Sequence, residues 1–295
     1  MGIIKDYDFT SLHIGDDDLK TNPATGRAYD NYFEIQQEGA DTPVPQAILS
    51  DEVSHPSHPN SIKFNLDWKY PRPYSLRGSF PGRWVYRTEV GTRYPGLTLK
   101  HWFAFTYVFP QLRSKQNQTI LQWLISAPLL QVLSFRISHD NTLVVRLHEN
   151  NFHPRLNYYY KLTENEPFNV VVKINAEYGT GEYCKVWINN ELFVDFKGDL
   201  VDGTSGDSDL PVQVKLGIYK AAWNSDARDS KTKERIYFDE DAEGNLTPID
   251  PFPVTPNHIV SYLTHLRFAN MEDSDAVTYS ALHPDGDKAL SGIDY

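Results

Sequence analysis

The stretch "VKLGIYKAAW", Val214–Trp223, alternates two kinds of residue. Val214, Leu216 and Ile218 are apolar, and Lys215, Gly217 and Tyr219 stand between them. Successive side chains of a strand point to opposite faces. The stretch therefore predicts a strand with one face in a core and the other carrying an ammonium and a phenol. The same alternation recurs outward along the chain: "SIKFNLDW" (61–68), "GRWVYRTEV" (82–90), "QTILQWLIS" (118–126), "VLSFRIS" (132–138), "TLVVRLHEN" (142–150), "FNVVVKINAEY" (168–178), "YCKVWINNELFVDF" (183–196) and "SYLTHLRFAN" (261–270). "LKHWFAFTYVFP" (99–110) is aromatic at both parities, which predicts a strand covered on both faces. Turn signals separate the runs, among them "SHDN" (138–141), "EYGTG" (177–181) and "INN" (188–190).

No segment sustains the apolar period of a helix over several turns. So many strands without crossover helices predict an antiparallel sandwich or barrel. The composition agrees, with 18 Tyr, 15 Phe and 6 Trp against 2 Met. Residues 1–60 are punctuated by Pro and Gly, and are expected to form a loop-rich segment with short edge strands packed on the core. Residues 61–270 carry the strands without an interrupting linker and are expected to form one domain, and 271–295 an extended, polar C-terminal tail.

The formal net charge is −11 and no basic run is present, which argues against nucleic acid as a partner. No run reaches the roughly 20 apolar residues of a membrane helix. The N-terminal stretch has no apolar signal-peptide core. The expected compartments are therefore cytoplasmic, virion-associated, or secreted with the signal removed. The single cysteine, Cys184, allows no intrachain disulfide. Asn117 and Asn245 head glycosylation-type triplets, a pattern common by chance.

Read in order, "RWVYRTEV" (83–90), "HWFAFTYVFP" (101–110), "TILQWLISAP" (119–128), "FNVVVKINAEYGTGEYCKVWINNELFVDFKG" (168–198) and "VKLGIYKAAW" resemble the polysaccharide lyases of the β-jelly-roll type. That group includes heparin lyase I, glucuronan lyase and, more distantly, the alginate lyases. The resemblance spans roughly 80–225, with "LTHLRF" as the closing strand. It implies an all-β, antiparallel β-jelly-roll sandwich, concanavalin A-like, with a concave glycan-binding groove. It also implies β-elimination beside a uronic-acid carboxylate and an acidic polysaccharide as partner. Such chemistry needs a cation or amide on the carboxylate, a base for the C5 proton and an acid for the leaving oxygen.

The resemblance assigns proton transfer to Tyr219, as acid and also as base, and the carboxylate to Arg87 and Gln122. Parity adds Glu89 to the face of Arg87, places Gln122 with Ile120 and Leu124, and puts Arg146 with His148 and Lys215 with Tyr219. Lys215, Glu89, Arg146, Lys220 and Trp223 are the expected substrate contacts. One departure stands out. The family carries a histidine two residues after the glutamine, and here that position is Leu124. Either Tyr219 acts alone, or His148 or His101 substitutes, or the groove binds glycan without turnover.

Each of these residues also has a structural reading. Arg87 and Glu89 make an ion-pair network on a sheet surface. Gln122 makes a buried amide satisfied by backbone. His101, with Phe103 and Phe105, makes a core histidine, and Trp123 and Trp223 ordinary packing. The pair His55 and His58 is bracketed by prolines and reads as a turn rather than a metal site. In "DEDAEGNLTPID", Asp239, Asp241, Glu243 and Asp250 have the spacing of a calcium loop, with a solvated acidic loop as the alternative. Calcium there would be structural, and the elimination itself requires no cofactor. "GTSGDSD" (203–209) has the composition of a lid. Hydrolysis needs two facing carboxylates, and parity supplies only Glu89. Besides a lyase, the sequence fits an acidic-glycan-binding module, or a viral-particle protein or depolymerase with an oligomeric or virion partner.

Overall fold

The computed structural model describes residues 3–6, 13–14, 32–37, 47–54, 60–67, 72–73, 84–92, 98–110, 118–126, 129–138, 141–147, 156–201, 212–220, 238–240, 246–248, 258–269, 271 and 275–285. In chain order the strands are β1 (Ile3–Asp6), β2 (His13–Ile14), β3 (Tyr32–Gln37), β4 (Ala47–Ser50), β5 (Ser61–Asp67), β6 (Arg72–Pro73), β7 (Trp84–Thr92), β8 (Lys100–Val108), β9 (Gln118–Ser126) and β10 (Leu129–Ile137). They continue with β11 (Thr142–Leu147), β12 (Leu156–Lys161), β13 (Pro167–Asn175), β14 (Tyr183–Ile188), β15 (Glu191–Lys197), β16 (Val212–Lys220), β17 (Phe238–Glu240), β18 (Leu246–Pro248) and β19 (His258–Ala269). One helix follows, α1 (Asp275–Leu282).

Two large sheets form. One has eight strands in the order β15-β14-β13-β8-β19-β5-β4, with β1 beside β19. The other has nine, β12-β11-β10-β9-β16-β7-β3-β2, with β6 beside β7. Within the first sheet every pairing is antiparallel. The non-sequential neighbours, such as β8 between β13 and β19, are those of a β-jelly-roll sandwich. Strands from before residue 60 join both sheets, since β4 pairs with β5 and β3 with β7.

The core lies between the sheets. Phe103, Phe105 and Tyr107 of β8 meet Leu121, Trp123 and Phe135 of the other sheet, with Val214, Leu216 and Ile218 of β16. β8 is buried along its whole length after Lys100, as its two-sided aromatic pattern predicts. Its second face carries Trp102 and Ala104, and α1 covers them with Tyr279 and Leu282. Trp102 stacks on Trp187 at 5.6 Å, and Tyr279 meets Trp187 edge-on at 5.4 Å. The extended tail expected after residue 271 is thus corrected at 275–282. A helix of two turns is too short to print a period, but Tyr279 and Leu282, three apart, share the buried face.

Local irregularities shape the nine-stranded sheet. The β9–β10 register shifts between Phe135 and Arg136, and the β9–β16 register between Leu216 and Tyr219. Both shifts fall at Ile120, where β9 turns two consecutive side chains, Ile120 and Leu121, into the core. The expectation that Ile120 shares the face of Gln122 is corrected by this bulge. Gly217 has φ +146, and a Cβ there would meet Thr88 O at 2.2 Å and Glu89 Cα at 2.6 Å. Only glycine lets β7 approach β16 that closely.

Candidate active site

Register fixes which residues share the outer face of the nine-stranded sheet, because directly paired residues lie on the same side. Lys215 of β16 stands opposite Gln122 of β9. Gln122 stands opposite Ser134 of β10, and Ser134 opposite Arg146 of β11. Arg146 donates from Nε to Oδ1 of its partner Asn157 on β12, at 2.7 Å. A second row begins on β7, where Arg87 faces Tyr219, Tyr219 faces Thr119, and Thr119 faces Arg136. Gln122, Lys215, Tyr219, Ser134, Arg136 and Arg146 are half-buried or buried at the surface of this face. Arg87 is described by its backbone.

The bulge at Ile120 brings the rows together. Lys215 and Tyr219 are four residues apart on β16, whereas their partners Gln122 and Thr119 are three apart on β9. On β10 the partners Ser134 and Arg136 are two apart. Tyr219 is therefore drawn toward the side of the sheet that holds Gln122. The result is an amide, a phenol and several cations on one face of a chain whose net charge is −11. Ser134, Asn157 and Arg136 extend the rows. The alternation of "VLSFRIS" carries the signal for Ser134 and Arg136, and only the strand order aligns them with Gln122 and Tyr219.

One expected substrate contact, Glu89, is covered. Glu89 shares this face but is fully buried, with no exposed surface on either carboxylate oxygen. It lies opposite Gly217, in the space the glycine leaves, so it is covered rather than offered to a ligand. Lys220 ends β16, paired through its backbone with Tyr86 of β7.

His101 belongs to the core and is excluded as the proton acceptor. It is buried, its Nδ1 bonds to Thr98 O at 2.7 Å, and its Nε2 accepts from Trp123 Nε1 at 3.2 Å. Burial pushes its pKa down from 6.5 to about 4, with the Thr98 carbonyl opposing. Leu124 is buried too, between Gln213 of β16 and Gln131 of β10. Its row supplies amides and no base.

His148, Trp223, Asp241, Glu243, Asp250, the pair His55 and His58, Asn117, Asn245 and the 203–209 segment lie outside the described residues. Asp239 stands in β17, opposite Thr247 of β18, in a short antiparallel hairpin. Among the described residues no group of three His, Cys, Asp or Glu side chains is arranged to hold a metal ion.

The fold is a β-jelly-roll sandwich shared with lyases and glucanases. An endo-β-1,4-glucuronan lyase from the fungus Trichoderma reesei superposes with a TM-score of 0.54 at 14% identity, over 85% of this chain and 98% of that one. A β-glucanase catalytic domain from Podospora anserina gives 0.53 at 11% identity, over 93% and 98%. The catalytic domain of an endo-1,3-β-glucanase (laminarinase) from Thermotoga petrophila gives 0.52 at 10%, over 92% and 98%. At such identities the likeness is one of fold. No curated protein matches the chain. The family model for polysaccharide lyases matches residues 33–242, and the chain belongs to that family. It is a lyase acting on polysaccharides.

Proposed function

We propose that the chain cleaves a uronic-acid-containing polysaccharide by β-elimination on the outer face of the nine-stranded sheet. The observation that supports this reading is the pair of rows that sets Gln122 beside Lys215 and Tyr219 beside Arg87. Gln122 and Arg87 hold the uronate carboxylate, and their donors stabilise the charge that develops there as the C5 proton leaves. Tyr219 gives its proton to the leaving glycosidic oxygen as the C4–O bond breaks and the C4–C5 double bond forms. Lys215 and Arg146 contact neighbouring acidic sugars. His148, which sequence alternation puts on the face of Arg146, takes the C5 proton in place of a residue at Leu124.

A hydrolytic alternative, suited to the glucanases that share the fold, needs two carboxylates facing across the substrate. On this face Glu89 is sealed, which disfavours it. The test is incubation with glucuronan, alginate, heparin and pectate while following the ultraviolet absorbance of the unsaturated product. We expect a rise with one of them that Tyr219→Phe lowers by about 10²–10⁴-fold with binding retained, the range for loss of a general acid. Absence of a rise with every substrate, or full turnover by Tyr219→Phe, overturns the reading.

A further inference from the structure

Glu89 is a fully buried carboxylate on the same sheet face as the proposed catalytic residues. Its flanking residues Thr88 and Val90 pair with Ile218 and Leu216, which belong to the core, so alternation puts Glu89 on the outer side. Gly217 on one side and Gln36 of β3 on the other are its direct partners. Gly217 has no side chain and its backbone lies against Glu89 Cα. Diagonal neighbours across an antiparallel pair are about 7–8 Å apart, which places Glu89 within electrostatic reach of both Lys215 and Tyr219.

A second observation comes from beneath the sheet. Tyr107 of β8 crosses the core and donates its hydroxyl to Ile120 O, the bulge carbonyl, at 3.2 Å. Its hydroxyl pKa is pushed well above 10.0, chiefly by burial and then by the charge of Glu89, while a backbone hydrogen bond with Gly217 opposes. The charge of Glu89 thus acts, after burial, on a phenol beneath the sheet. Tyr219 is the phenol on its own side. Burying a carboxylate is costly unless it is compensated, and Glu89, Lys215 and Tyr219 each have an interaction partner.

We propose that Glu89 is a positioning residue, a buried negative charge that holds the cations of the site in place and keeps the Tyr219 phenol protonated as the acid of the reaction. This rests on the reading of Tyr219 as proton donor. Among the described residues, register sets Glu89 from β7, Lys215 on its own strand, Thr119 and Gln122 from β9, and Arg136 from β10 around Tyr219, and Arg87 of β7 is its direct backbone partner. Of these charged residues Glu89 is the anion and the others are cations, and Glu34 of β3 stands one strand further out, paired with Gly91 in the row of Lys215. Removing its charge stabilises the phenolate and lowers the pKa of Tyr219.

The test is Glu89→Gln, which keeps shape and removes charge. We expect a fold retained by circular dichroism and thermal melt, and an alkaline limb of the kcat/KM–pH profile moved down by about one pH unit. Glu89→Asp should keep the wild-type limb while losing rate. The Tyr219 pKa is also to be read without turnover, by NMR of isotope-labelled tyrosine with Tyr219→Phe identifying its signal. That measurement should show the same downward shift. A folded Glu89→Gln whose limb and phenol pKa stay put overturns the proposal. So does loss of the fold in both variants, which would make Glu89 a purely structural residue. A phenol shift without any elimination activity upholds the charge and overturns the lyase chemistry instead.

Discussion

Gln122 stands directly opposite Lys215 on the outer face of the nine-stranded sheet, one strand apart. An amide and an ammonium at that spacing can hold two oxygens of one sugar carboxylate, or the carboxylates of neighbouring sugars. The amide stabilises charge that grows in the transition state, whereas the ammonium binds ground and transition states alike. Gln122→Leu should therefore lower kcat by about 10²–10³-fold, as for loss of one preorganised donor. Lys215→Met should mainly raise KM. Both side chains are half-buried on an outer face, so the thermal midpoint should stay near wild type. Steady-state kinetics with a melt of each variant separates the two effects.

Leu124, where the resemblance to the jelly-roll lyases leads to the expectation of a histidine, is flanked by Gln213 and Gln131. If His148 supplies the missing base, His148→Ala should lower kcat by about 10²–10⁴-fold. Adding Leu124→His to that variant should restore part of the rate, because either flanking amide can orient the imidazole. The restored activity should show an acidic limb below the ordinary histidine value of about 6.5, since the position is buried and burial disfavours the imidazolium. Full turnover by His148→Ala would place the base elsewhere, and a double variant as inactive as His148→Ala would show that position 124 cannot serve the C5 proton.

The alternation in "VKLGIYKAAW" was enough to read β16 with its core face and its Lys215–Tyr219 face. The two-sided aromatic pattern of β8 likewise announced cover on both sides. Two other features were hidden for physical reasons. A bulge leaves no mark where both turned residues are apolar, so Ile120 and Leu121 read as simple alternation. The burial of Glu89 depends on the approach of β7 to a bare Gly217, a contact between strands distant in sequence. Arg136 and Ser134 were visible as polar positions, but only the order of the strands sets them beside Tyr219 and Gln122.

His101 makes stability depend on pH. Thr98 O can only accept, so Nδ1 carries the proton and Nε2 offers its lone pair to Trp123 Nε1. Protonating Nε2 would set two donors against each other in a dry core. The folded pKa is about 4 against 6.5 when unfolded, so in that window the unfolded chain binds the proton and the folded chain does not. Stability from this group is complete above pH 6.5 and falls progressively toward pH 4, by about 3 kcal/mol in all. Denaturant unfolding at a series of pH values should show this slope. His101→Gln should be less stable throughout but shallower in slope.

Gly217 and Gly179 both have positive φ, at +146 and +74, but differ in what surrounds them. A Cβ at Gly179 meets nothing within 4 Å, so Gly179→Ala should cost only the backbone strain, about 1–2 kcal/mol. At Gly217 the Cβ would fall 2.2 Å from Thr88 O, and backbone cannot swing aside as a side chain can. Gly217→Ala must force β7 away from β16, opening the pairs Glu89–Gly217 and Arg87–Tyr219. It should cost at least about 3 kcal/mol, and turnover should fall even in the fraction that stays folded. Denaturant midpoints of the two variants, read beside their activity per folded molecule, test this. Equal costs at the two glycines would mean that β7 has room to spare, and that Gly217 is kept for its backbone angle alone.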